Sequence, residues 1–307
     1  MTAPADTRPA RRPLAGRPAL RRRPLAGRAA PRRRPSTGQV VTALLLLVLG
    51  GLWVYPFVWL VSASLKTSPE IFGTGLGLLP EEPVWENYAR AWSEVGFARY
   101  LVNTLVITAG TVVLVVVRSA LAGYVLGRYD FAGKKFVIGL FLVTFFLPEG
   151  YTIIPITQLT DQLGLLNTHA GVILGLGAGG QIASTLLYAG FFRKLPKELE
   201  ECARLDGAGH FTVFFRVMLP LAWPITATVV ILTYLFAWNV YLLPLVFTLS
   251  DSDLRTLAVG MTVFVGERET DWSGMAAAAV ISLIPVIAVF VVLQRKFVDS
   301  IAGAVKQ

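Results

Sequence analysis

The chain has a single cysteine, Cys202, which excludes an internal disulfide. Its two histidines, His169 and His210, stand far apart, and no Cys/His grouping has the spacing of a metal site. No G-x-x-x-x-G-K-[ST] run occurs, so the chain has no recognisable nucleotide-phosphate loop of its own. H-E-x-x-H, G-x-S-x-G and paired aspartates within an apolar run are also missing, which argues against an intramembrane enzyme. Above all, charge is scarce. Only 15% of residues are Asp, Glu, Lys or Arg, against roughly 25% in soluble domains. That deficit excludes an ordinary soluble domain.

What fills the chain instead is apolar sequence, 54% of the 307 residues, with a mean hydropathy of +0.62. Runs without Asp, Glu, Lys or Arg cover 35–65, 100–117, 162–192, 217–250 and 272–294. A further apolar stretch, 136–158, is interrupted only by Glu149, and Arg118 interrupts 100–126 in the same way. A spanning helix needs about 20 mostly apolar residues. The runs therefore predict an all-α membrane protein of six spans, near 40–63, 102–126, 136–156, 171–192, 222–247 and 275–294. The first run is too long for the apolar core of a cleaved signal peptide, about 7–15 residues, and reads as an uncleaved first helix.

Residues 1–38 hold eleven arginines against one aspartate and repeat "RRPLAGR" at 11–17 and 22–28. Rich in Arg, Pro and Ala and without an apolar face, this tail reads as a disordered arm beside anionic lipid heads. A nucleic-acid role is the other use of such a run. The spanning domain is then 39–307. Lys and Arg favour the cytoplasmic side, so the tail places the N-terminus there. Six spans put "GRYDFAGKK" (127–135), the 195–220 segment and the C-terminus on the same side. The opposite segments are acid-rich: 65–99 has three basic and five acidic residues, and 248–273 has two and five. The plasma membrane is the implied location.

The segment 198–220, "ELEECARLDGAGHFTVFFRVMLP", is the most polar stretch between two apolar runs. Glu198, Glu200 and Glu201 follow Pro196 at the start of a short helix, where the dipole favours acids. Asp206-Gly207-Ala208-Gly209 reads as a helix stop and turn. Gly207 is expected to need φ > 0 or a close backbone approach, with Asp206 holding the turn through its carboxylate. Phe211, Phe214, Phe215 and Met218 then fall on one helical face. That face suits lipid or protein equally. Ala203, Gly207, Ala208 and Gly209 would let another protein surface come close.

Glu201-Cys202-Ala203, then Gly207, then nine residues to Val217-x-Leu219-Pro220, resembles the E-A-A–x3–G–x9–I-x-L-P signature of membrane subunits of bacterial ABC importers. Cys202 replaces the usual Ala and Val217 the usual Ile. The resemblance covers nearly all of 40–306 and is closest to the carbohydrate-uptake branch, that of the maltose and oligosaccharide permease subunits. It is carried also by "SLKTSPEIF" (64–72), "ENYARAW" (86–92), "YLVNTL" (100–105), "GYVLGRYDFAGKK" (123–135), "IIPITQL" (153–159), "GLLNT" (164–168), "FFRKLPKELEE" (191–201), "WN" (238–239), "TLAVG" (256–260) and "GAVK" (303–306). Val240 departs from the acid usual after "WN", and Ser300-Ile301-Ala302-Gly303 from the usual C-terminal end. The resemblance implies a permease subunit without covalent chemistry or a cofactor of its own. Its 195–220 loop would dock on a cytoplasmic ATPase dimer that binds ATP and Mg. A second permease chain would share the translocation path, and an extracytoplasmic solute-binding protein would deliver a sugar. Glu201, Cys202, Ala203, Asp206, Gly207, Leu219 and Pro220 form the implied coupling element.

Five residues are candidates for the path, two of them weaker. Arg118 lies ten residues before Arg128, about 15 Å along a helix, so near mid-membrane. Either it lines the path or pairs with an acid such as Glu149, or it snorkels or bonds a neighbouring carbonyl. Glu149, in "FLPEGY", either lines a cavity at a broken helix or is solvated at the interface. Asn239 beside Trp238 offers an amide and an aromatic face to a sugar, or an interhelical hydrogen bond. Tyr234 and Tyr241 are weaker candidates on that stretch. The alternative solute is a polyamine or other polar compound, which several acids in the path would favour; the spans offer only Glu149. A structural or sensory anchor is the rival outside transport.

Overall fold

The computed structural model describes residues 37–305 apart from 74, 76, 95, 145, 147–148, 179–181 and 267–268. The Arg-rich tail lies, to residue 36, outside the described residues, as do Lys306 and the side chain of Glu149. The chain divides at Leu52. The described part of the first unit is the start of helix α1 (Thr37–Ala63), whose leucines and valines are exposed on all sides. A helix that is apolar all round is suited to lipid rather than water.

The second unit, from Trp53, is built of helices joined by turns and loops, and its described residues hold no strand pairing beyond one isolated bridge, Val265 to Thr270. After α1 come α2 (Ser68–Gly73) and α3 (Glu86–Ala89), then the long α4 (Phe97–Arg128). Next are α5 (Lys134–Thr144), α6 (Ile153–Gln162), α7 (His169–Ala178) and α8 (Ile182–Lys194). The polar segment forms α9 (Glu198–Leu205), α10 (His210–Val213), a π-helical turn (Phe214–Met218) and α11 (Leu219–Leu221). The chain ends with α12 (Trp223–Asn239), α13 (Leu242–Phe247), α14 (Leu257–Gly260) and α15 (Trp272–Val305).

Among the described residues three helices are each long and apolar enough to cross a membrane: Thr37–Ala63, Phe97–Arg128 and Trp272–Val292. Counting each of two bent pairs, α7 with α8 and α10–α11 with α12, as one span gives up to five. The helix expected over 136–156 is not continuous. It is α5, a 3-10 turn at Glu149–Thr152, and α6. The break falls where the sequence places Pro148 and Gly150, one lacking an N–H and the other entropically costly in a helix. The described residues of the stretch expected as 171–192 form α7 and α8, and 179–181 between them lie outside the described residues. That expected as 222–247 is α12 and α13, where Val240 turns extended (φ −64°, ψ 130°) ahead of Pro244.

Helix α4 is the centre of the packing. Near its Arg128 end, α8 lies almost against its backbone. A Cβ at Gly123 would sit 2.5 Å from Tyr188 Cβ and 2.9 Å from Thr185 O, and one at Gly127 would sit 2.7 Å from Ala189 O. Small residues four apart permit this close approach, which in lipid replaces a hydrophobic driving force. Beside this contact lies a buried core of Val115, Tyr124, Tyr188, Phe192, Phe214 and Met218.

At the Phe97 end, buried polar side chains pin the connecting segments. Asn103 Nδ2 donates to the carbonyls of Asp253 (2.7 Å) and Arg255 (3.0 Å), while its Oδ1 faces His169 Nε2 at 2.9 Å. Asn87 Nδ2 donates to the carbonyls of Ser64 and Lys66, and Arg90 pairs with Asp271 at 2.9 Å. Asn167 takes φ 55° and donates its N–H to Phe247 O. Buried backbone groups need such partners, so several of the short motifs quoted above are structural latches.

Candidate functional site

The 195–220 segment folds against the Arg128 end of α4. Helix α9 ends in a Schellman motif. Ala208 N–H donates to Ala203 O (3.0 Å) and Gly207 N–H to Arg204 O (3.0 Å), with Gly207 at φ 84°. That left-handed position is where a helix stop favours glycine. A Cβ on Gly207 would meet nothing within 4 Å, so the requirement is conformational and not one of space. Asp206 does not hold the turn as expected: its carboxylate makes no hydrogen bond among the described residues, and the main chain closes the turn instead.

The faces of the loop also differ from expectation. Ala203 and Ala208 are half-buried against the loop's own core and do not form an open surface. The four-residue aromatic face splits: Phe214 and Met218 are buried, whereas Phe211 is 77% exposed and Phe215 53%. The π-turn adds a residue to that stretch and rotates the face. Pro220, without an N–H, sits just after it, and the chain then bends by 76° into α12. Leu219 packs partly on the core, and Pro220 is exposed. What the loop presents outward is Glu201, Cys202, Leu205, Asp206 and Phe211, with Leu205 88% exposed.

Of the three glutamates, Glu200 behaves apart. It is buried, and its Oε1 accepts from Arg128 Nε at 2.6 Å, with side-chain exposures of 4% for Arg128 and 10% for Glu200. Arg128 Nη1 also donates to Leu195 O at 2.7 Å. Removing one partner of a buried pair typically costs about 3–5 kcal/mol. The pair was not singled out from sequence. Its legible signal is Glu200 three residues before Ala203, on one helical face, with an arginine ending an apolar helix. Next to it, Lys134 Nζ lies 3.0 Å from Asp130 and holds that exposed carboxyl below its usual range through a hydrogen bond.

Among the described path candidates, Arg118, Tyr234 and Asn239 each have separate surroundings. Arg118, half-buried on α4, donates from Nη1 to Ala178 O, the last carbonyl of α7. This is the neighbouring-carbonyl alternative, and it satisfies an orphan group at a helix C-terminus. Its Nε and Nη2 are buried without a partner among the described residues. Asn239 Nδ2 donates back to Leu235 O (2.7 Å) from an exposed position, whereas its neighbour Trp238 is buried and stacked on Tyr234 (5.3 Å, 23°). An amide and an aromatic on adjacent helical positions point about 100° apart, so the two do not face one ligand. Tyr234 lines an apolar cleft with Thr108, and the hydroxyls of both are buried and unpartnered among the described residues. Tyr241 is 41% exposed. A second cleft, of 140 Å³, adjoins the turn that carries Glu149 and is lined by Gly150, Ile153, Gly175, Phe236 and Leu243 among others. Among the described residues no cluster of His, Cys, Asp and Glu could hold a metal.

A sequence profile described as "Binding-protein-dependent transport system inner membrane component" matches residues 119–303. The chain is 37% identical over 253 residues to the probable ABC transporter permease protein YurM of Bacillus subtilis, covering 82% of this chain and 83% of that one. It is 34% identical over 256 residues to the diacetylchitobiose uptake system permease protein NgcG of Streptomyces coelicolor, covering 83% of each. In fold it is similar to a chain in a crystal structure of a bacterial ABC transporter involved in the import of the acidic polysaccharide alginate. That likeness has a TM-score of 0.72 at 24% identity and covers 84% of this chain and 95% of the other.

Proposed function

Because this chain belongs to the family of binding-protein-dependent transport system inner membrane components, we propose that it forms half of an importer's path for a sugar or oligosaccharide. It is a multi-pass plasma-membrane permease subunit of the ABC transporter class. In the proposed arrangement six spans place both termini and the 195–220 loop on the cytoplasmic side. The loop docks on a cytoplasmic ATPase dimer that binds ATP and Mg. A sister permease completes the path and an extracytoplasmic binding protein supplies the solute. Glu201, Cys202, Ala203, Asp206, Gly207, Leu219 and Pro220 form the coupling element. Arg118, Glu149, Tyr234 and Asn239 stand toward the path.

One observation carries the coupling role. Behind the loop Glu200 is paired with Arg128, and the loop still presents Leu205 and Phe211 outward from a polar segment. Large apolar side chains exposed on a well-packed polar loop mark a protein contact. ATP binding by the partner would then bias the spans between two states through that contact, since a ligand shifts an equilibrium only by its differential affinity. Supporting a neutral solute, Glu149 is the one acid within the predicted spans.

The test is reconstitution in liposomes with the co-expressed ATPase, sister permease and binding protein. The expected result is ATP-dependent uptake of a radiolabelled neutral oligosaccharide and none of spermidine, with no hydrolysis by this chain purified alone. Robust hydrolysis by the isolated chain would overturn the division of labour, and uptake of spermidine alone would replace the sugar.

A further inference from the structure

We propose that Arg128 is a positioning residue that makes α4 and the loop helix α9 move as one body, so that displacement of the loop is delivered to α4. The proposal rests on the reading of 195–220 as the coupling loop and names the part through which that loop acts.

Two routes lead from the loop into the spans. The first runs along the chain into α12. It is interrupted by the π-turn at Phe214–Met218, by Pro220 and Pro224, and by a 76° bend at Ala222. Each interruption removes or reroutes i→i−4 hydrogen bonds, so a push along this route meets a joint. The second runs sideways into α4, and there Arg128 holds three elements at once. It ends α4. Its Nη1 donates to Leu195 O (2.7 Å) and Phe192 O (3.4 Å), and its Nη2 to Pro196 O (3.3 Å), capping the last carbonyls of α8 and the linker beyond. Its Nε grips Glu200 on α9. The guanidinium is planar, always charged and forked, and it is 96% buried by the 4% figure for its side chain, so the four acceptors are fixed relative to one another. Gly123 and Gly127 bring the α8 backbone against α4 directly behind this fork. The aromatic contacts of Tyr124 with Phe192 (5.5 Å) and Phe214 (5.1 Å) close the same side. Arg204, 3.9 Å from the other oxygen of Glu200 and 45% exposed, is a weaker second cation.

The experiment uses the natural thiol. Cys202 is the chain's sole cysteine and is exposed on α9, so with cysteine-free partner subunits it takes a nitroxide label without background. A second label goes on Val117→Cys, an exposed α4 position. The full chain, with its ATPase and sister permease, is placed in lipid nanodiscs and the intramolecular distance is read by pulsed EPR, nucleotide-free and trapped with ADP–vanadate. With Arg128 intact the distance should stay within about 2 Å between the two states, the scale of ordinary helix shifts. In Arg128→Gln it should broaden and shift on trapping by about 5 Å, one helical turn. Arg128→Lys, which keeps charge but not the fork, and Glu200→Gln should fall between. A state-dependent distance is a readout that mere loss of stability does not produce. If Arg128→Gln does not assemble, the Arg128→Lys and Glu200→Gln variants decide. Distances as narrow and constant in these variants as with Arg128 intact would overturn the proposal, as would a large shift with Arg128 intact. Absence of the ATPase from the unlabelled preparation with Arg128 intact would instead sink the coupling-loop reading, and this inference with it.

Discussion

Gly207→Val is expected to release the ATPase subunit from the detergent-solubilised complex, whereas Gly207→Asn is expected to retain it. The residue sits at φ 84°, and its N–H closes the Schellman turn on Arg204 O. Open space surrounds the position where a Cβ would stand, so the difference between the two variants is backbone strain and not a clash. Asn tolerates the left-handed region, while a β-branched residue resists it. Strain of this kind is worth about 1–3 kcal/mol. In valine the turn would relax toward negative φ and swing α10, with Phe211, away from α9, with Leu205. Docking should then weaken by about 10- to 100-fold, at 1.4 kcal/mol per tenfold. Glu201→Ala removes only an exposed charge and should cost less. Co-purification of the ATPase with each variant checks the order. Membrane abundance should be unchanged in all three, because the turn lies outside the spans.

The larger structural effect is expected at Gly127→Val, through the α4–α8 contact. The added Cβ would stand 2.7 Å from Ala189 O and 3.1 Å from Phe192 Cβ. The first of these is backbone and cannot rotate aside, so the helices must separate. Overpacking costs about 1–3 kcal/mol and occasionally more. Here separation would also loosen the acceptors that Arg128 holds in α8, so the loss should be at the upper end. Gly190→Val provides the control: it is on α8 but has nothing within 4 Å, and should purify as well as the unaltered chain. Size-exclusion profile and melting temperature in detergent distinguish the two. Equal behaviour of Gly127→Val and Gly190→Val would mean that α4 and α8 do not pack through this face.

Much of this architecture is legible in the sequence, for physical reasons. Apolar runs long enough for a bilayer appear as helices α1, α4 and α15, and the helix stop at Gly207 follows from a glycine after an acidic helix. Continuity inside the other runs is not legible from hydropathy alone. A 3-10 turn at Glu149–Thr152 breaks 136–156, and an extended Val240 breaks 222–247, neither lowering the apolar content. Nor does composition distinguish an acid that faces a partner from one neutralised at home. Glu200 and Glu201 are adjacent, yet one is buried on Arg128 and the other is exposed. The difference is set by an arginine seventy-two positions away in sequence. The surroundings of Trp238 and Asn239 are another case: adjacent helical positions look in different directions, and the indole stacks on Tyr234.

The most direct test of the coupling role is a cross-link from Cys202 in native membranes. As the chain's one thiol, exposed on the outer face of α9, it can be joined to neighbouring amines by a short heterobifunctional maleimide reagent. The adduct is then identified by mass spectrometry. The account predicts a product between this chain and an ATP-binding subunit, lost in Cys202→Ser and reduced in Gly207→Val. A Cys202 that is fully modified by maleimide, yet forms no product with that subunit while the intact complex hydrolyses ATP, would contradict it.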